Sequence, residues 1–142
     1  MEPFRLDSVA PLLASRFRRA PPDKRRSAAR IACEKAVLTT GLTASDVRDA
    51  MTFLSGATSL DESLRQRLET LAASFDDQHF RLSEDVNQQQ QALECFSRAR
   101  ASSALAFCVA ADDGELHEAI YESIAAVDDP AELMRLVERA LT

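Results

Sequence analysis

A chain of 142 residues, 46% hydrophobic and 28% charged, is long enough to bury its own core, so neither intrinsic disorder nor a disulfide-stapled miniprotein is expected. Its three cysteines, Cys33, Cys95 and Cys108, are odd in number, lie within apolar stretches and form no Cys-x-x-Cys pair, so they are expected to be reduced, mostly buried thiols. The net charge of −6 divides unevenly: residues 1–35 hold nine Arg/Lys against four acids, and residues 36–142 hold eight against nineteen. That split predicts an electrically polarised molecule whose two ends prefer different partners.

Proline, glycine and the spacing of apolar residues mark helices throughout, with no alternating strand pattern and no hairpin signal. The first helix is expected at 8–19, with Val9, Leu12, Leu13 and Phe17 on one face. "APPDK" breaks the chain before a second at 23–40, which stops at Gly41. A third spans 43–55, opened by a capping-box-like Thr43 and Asp46 and striped by Val47, Ala50, Met51 and Leu54. A fourth begins near Ser59 and carries Leu60, Leu64, Leu68, Leu71, Phe75 and Leu82. A break is placed at 83–88, where Ser83 and Asn87 are candidate N-caps. The fifth, 88–111, ends in "ASSALAFCVAA", small or apolar on every side, as a central helix requires. The sixth, 115–127, buries Leu116, Ala119, Ile120, Ser123, Ile124 and Val127. The seventh starts at Asp129-Pro130 and seals with Leu133, Leu136, Val137, Ala140 and Leu141. The expected fold is all-α: a compact single-domain bundle of about six or seven helices over 1–142, with basic N-terminal helices in 1–40 and an acidic core in 57–142.

The longest charge-free runs, 50–60 and 101–111, are eleven residues each, whereas a membrane span needs about 20. Glu2, Arg5 and Asp7 interrupt any signal-type segment, so a cytoplasmic protein without membrane contact is expected. No Glu-x-x-His pair of a di-metal bundle occurs; Asp76-x-x-His79 and the Asp113–His117 spacing are the nearest approaches. There is no nucleophile elbow, P-loop or glycine-rich phosphate cradle. No catalytic residue, metal site or cofactor is therefore assigned, and the chain is read as a non-enzyme.

Two surfaces are candidates for binding. "RFRRAPPDKRRSAAR" concentrates Arg16, Arg18, Arg19, Lys24, Arg25, Arg26 and Arg30, enough to contact several phosphates. Against this, Asp46 and Asp49 on the following helix would repel a DNA backbone, and the basic face can instead pair with the protein's own acidic half. The other candidate is "ADDGELHEAIYES". Asp112, Asp113 and Glu115 sit where a helix start favours carboxylates. At 100° per residue Glu118 and Glu122 point away from the apolar stripe, with His117 and Tyr121 neighbours on its flank. An aromatic framed by acids suits a docking face for a basic protein.

Size, acidity, helical architecture and the lack of a catalytic motif resemble, across the whole chain, the bacterial immunity proteins that neutralise toxin domains. The arginine-rich usage (Lys24 and Lys35 are the only lysines) fits a GC-rich bacterial gene. The resemblance implies a protein-binding module whose cognate toxin is held on an acidic surface. The alternative is a nucleic-acid-associated regulator using the basic N-terminal helices. Self-association stays open.

Overall fold

The computed structural model describes residues 3–56, 62–110 and 113–142, apart from the side chain of Asp113. Among these residues there are eight α-helices and no strand: α1 (Arg5–Val9), α2 (Pro11–Arg19), α3 (Pro22–Thr40), α4 (Ser45–Leu54), α5 (Glu62–Leu82), α6 (Gln89–Cys108), α7 (Leu116–Ala126) and α8 (Pro130–Leu141). Short 3-10 turns at Val86–Gln88 and Asp113–Glu115 lead into α6 and α7. No helix among the described residues is long and apolar enough to cross a membrane.

Proline and glycine set most of the boundaries. Pro11, Pro22 and Pro130 occupy first turns, where a missing N–H costs nothing. Gly41 takes φ 67° at the end of α3, and the next N–H, of Leu42, returns to the Val37 carbonyl at 3.3 Å. The expected first helix is in fact two. Pro11 cannot donate within a helix, and Ala10 turns to φ −150°, ψ 71° between α1 and α2. That turn selects Ala10, Leu13, Ala14 and Phe17 as the buried face and leaves Val9 and Leu12 outside. Two expected caps are also displaced. The α4 N-cap is Ala44, without a side-chain bond, because Asp46 pairs with Arg67 at 2.9 Å. At the α5–α6 break, Asp85 accepts from the Asn87 N–H at 2.9 Å, in place of Ser83 or Asn87 acting as cap.

α5 and α6 form the most closely packed pair, an antiparallel hairpin, and α7 lies against α6. α3 packs on α6, α7 and α8, while α4 covers α5 and α6. α1 and α2 lie across α7 and α8. α3 and α6 both carry small buried side chains, Ala28, Ala29, Ala32, Cys33 and Ala36 on one and Ala99, Ala101, Ser102, Ala104 and Cys108 on the other, and Cys33 meets Cys108 between them. The Ser102 hydroxyl donates to the Leu68 carbonyl at 2.8 Å and ties α6 to α5. Because Ala104 is completely buried, Ala104→Leu is expected to overpack this interface and cost about 1–3 kcal/mol. Urea denaturation checks this; an unchanged midpoint would mean that α6 has room to spare.

Part of the charge split is offset within the fold, where the basic N-terminal helices meet the acidic remainder. Arg16 reaches Glu138 at 2.7 Å, Lys35 reaches Glu132 at 3.3 Å, and Arg5 reaches α7. Opposite charges far apart in sequence thus neutralise each other in space.

Candidate functional site

The acidic face of α7 is covered from two sides. From α1, the Arg5 Nε donates to Glu118 Oε2 at 2.8 Å; its Nη2 bonds the same oxygen and donates to Glu122 Oε1 at 3.0 Å. From α6, Arg100 donates to Glu122 Oε2 at 3.1 Å and to Asp76 of α5 at 2.8 Å. Glu122 is only 3% exposed. This corrects the expectation that it points into solvent. In helical projection it lies about 60° beyond Ala119, and α6 brings Arg100 to that flank. Tyr121, expected to be a free anchor, is half-buried beneath the Arg5 guanidinium, 4.3 Å from its ring centroid. Four helices thereby share one ionic network.

His117 is fixed beside it. Its ring stacks on Phe4 at 3.7 Å, with 13° between the planes, and the Arg18 guanidinium lies 4.1 Å from the same Phe4 centroid. Two groups that near one centroid cannot share a face, so Phe4 is sandwiched between them. Asp7 clamps the arrangement, accepting from the Phe4 N–H at 2.7 Å and taking both Arg18 terminal nitrogens at 2.7 and 2.6 Å. Arg18 and that N–H hold the Asp7 carboxyl down at about 2. Burial lowers His117 from its ordinary 6.5; Arg18 and Arg5 add to the shift, and Glu118 and Glu115 oppose it. Glu115 itself is half-buried at the start of α7. Asp112 and the side chain of Asp113 lie outside the described residues.

The sign for pH follows directly. Below pH 6.5 the unfolded chain takes up a proton at His117 that the fold resists. The His117 contribution is therefore complete above 6.5 and declines as pH falls toward the lowered folded value. The Asp7 contribution is present above its ordinary 3.8 and is lost only as pH falls toward about 2. Urea midpoints are expected to fall between about pH 7 and pH 5, with a shallower slope in His117→Phe. Parallel slopes for the two proteins would mean that His117 does not sense the fold.

The seven basic candidates are dispersed. Arg18 is held as described, and Arg25 donates to the Phe17 and Arg18 carbonyls at 3.1 and 2.7 Å. Arg30 lies 3.6 Å from Glu34 on α3. Arg26 is exposed on α3 and has contacts within the fold. Arg16, Arg19 and Lys24 line a common hollow. Asp76 is spent on Arg100, and His79 Nδ1 bonds the Ala92 carbonyl at 2.8 Å. Among the described residues no three His, Cys, Asp or Glu groups converge. All three cysteines are buried and free, and contact with Cys108, together with burial, pushes the Cys33 thiol up, away from the reactive thiolate.

One surface that remains open to a partner lies at the free end of the α5–α6 hairpin. The His79–Ala92 bond places residues 79 and 92 side by side, so Phe80 and Leu93 sit at one level of the hairpin. Val86 lies at its tip, pinned by Gln89 Nε2 donating to the Ser83 and Asp85 carbonyls at 3.0 and 2.8 Å. Phe80, Val86 and Leu93 are 68%, 84% and 58% exposed. The same segment, residues 77–94, carries exposed Asp77, Glu84, Asp85 and Glu94 against Arg81 as its single cation, and none of these carboxylates is ion-paired among the described residues. Leu93 and Glu94 also border a polar groove of about 360 Å³ shared with Thr39, Arg98 and Asp128. No family model matches the chain, and no curated protein or solved structure matches it.

Proposed function

We propose that this chain is a non-catalytic protein-binding module whose partner is basic and docks on the free end of the α5–α6 hairpin. The observation that carries the reading is the exposure of Phe80, Val86 and Leu93 at the end of the α5–α6 hairpin, in a segment with four carboxylates that form no ion pair among the described residues. Water-exposed aromatic and aliphatic anchors supply binding energy once covered, and surrounding like charges steer an oppositely charged surface into register. The acidic face of α7 lacks that freedom, since Arg5 and Arg100 already serve as its basic partners. The resemblance to immunity proteins in size, charge and helical architecture supports a bacterial toxin domain as the partner, held through this relocated acidic surface.

The test is affinity capture from native cell extract, after nuclease treatment, by the tagged protein and by Phe80→Asp/Leu93→Asp. The wild type is expected to retain a basic protein in stoichiometric amount and the double variant to lose it, with no change in melting temperature. Equal capture by both would place the partner elsewhere. Retention of nucleic acid alone, in samples without nuclease, would favour a regulator acting through the N-terminal helices.

A further inference from the structure

We infer that the furrow between α2 and α8, on a different face from the hairpin end, is a second docking surface that takes an acidic amphipathic helix from a partner protein. Three shallow hollows run into one another along it. The first, about 280 Å³, is floored by Ala10, Pro11, Leu13 and Met134, with Leu12 at its edge; Leu12 is 79% and nearby Val9 45% exposed. Glu138 joins it to the second, where Arg16, Arg135 and Arg139 meet. Arg16 leads on into the third, about 400 Å³, with Arg19 and Lys24. The furrow is thus apolar at one end and cationic at the other, where Arg16 pairs with Glu138 and Lys24 bonds the Thr142 carbonyl, while Arg19, Arg135 and Arg139 form no ion pair among the described residues.

The shape favours a helix. α2 and α8 run side by side in the same sense, Leu13 lying near Met134 and Arg16 near Glu138. At 1.5 Å per residue their nine and twelve residues make a trough about 14–18 Å long, enough for three turns of a third helix. Leucine-type anchors at one end of that helix would cover Leu12 and Met134, and carboxylates at the other would meet the arginines. A continuous phosphate backbone fits less well, because Glu138 sits between the apolar and cationic ends and leaves Arg16 already neutralised at 2.7 Å.

The probe is a fluorescein-labelled helical peptide of about 15 residues, leucines on one half of a face and glutamates on the other, read by anisotropy. Wild-type protein is expected to bind it with micromolar affinity that weakens as salt rises. Arg135→Glu/Arg139→Glu and, separately, Leu12→Asp should each weaken binding about tenfold or more. All three positions are exposed, so circular dichroism should be unchanged. Phe80→Asp/Leu93→Asp should bind the peptide normally, which separates this surface from the hairpin end. Equal binding of a scrambled peptide, or no binding, would overturn the inference. So would a DNA duplex whose binding, in place of the peptide's, is lost in Arg135→Glu/Arg139→Glu. Self-association in sedimentation that Leu12→Asp abolishes would overturn it in favour of a second copy.

Discussion

Glu122→Ala is expected to lower the free energy of unfolding by about 2–4 kcal/mol, which places it among the most damaging single changes in the molecule. The carboxylate is almost wholly buried and joins Arg5 of α1 to Arg100 of α6. Removing it leaves Arg100 with Asp76 alone and Arg5 with Glu118 alone. The figure is set below that for a fully buried pair because the Arg5 side chain is half exposed and solvent weakens its share. Glu122→Gln keeps the shape and some hydrogen bonds but not the charge, and should cost less. Glu132→Ala breaks only the exposed contact with Lys35, so about 0–1 kcal/mol is expected. Urea denaturation of the three variants gives the comparison. A Glu122→Ala cost no greater than that of Glu132→Ala would mean that the α7 face is solvated.

Leu105→Ala carries the other large expected effect, about 2–5 kcal/mol. Leu105 is completely inaccessible on α6, the helix that touches α3, α5 and α7. Its neighbours on the same helix, Ala101, Ala104 and Cys108, are small and already buried. They cannot swing in to fill the void, so little of the cavity should collapse. A loss below about 1 kcal/mol would show that the small-residue seam repacks freely.

The helices themselves were legible because their punctuation is local. Pro22 and Pro130 in first turns, Gly41 after α3 and the uninterrupted small or apolar run 101–111 each act through their own backbone or neighbours. Burial at the flanks was not legible. Periodicity treats a helix as having one neighbour, whereas α7 has α6 and α3 on one side and α1 on another, so Glu122 and Ala126 are buried along with the stripe. The spacing of Val9, Leu12, Leu13 and Phe17 matches one helical face, yet the turn at Ala10–Pro11 splits it and strands Val9 and Leu12 outside. Pairing across long sequence separations was hidden for the same reason. Arg5 and Glu118 are 113 residues apart, and no local signal links them. The hairpin end could have been suspected from Phe80, Val86 and Leu93, which fall off the Leu64–Leu68 stripe of α5 and the small-residue face of α6. Apolar residues off the core face are the signal for it.

Carboxyl footprinting tests the central claim most directly, by carbodiimide-coupled labelling of acidic side chains with and without the basic partner, read by mass spectrometry. In the free protein Glu122 is expected to resist modification while Asp77, Glu84, Asp85 and Glu94 label readily. The bound partner should then protect these four hairpin carboxylates and leave Glu118 of α7 and Glu115 just before it unchanged. Rapid labelling of Glu122 in the free protein, or protection by the partner confined to residues 115–122, would contradict the account.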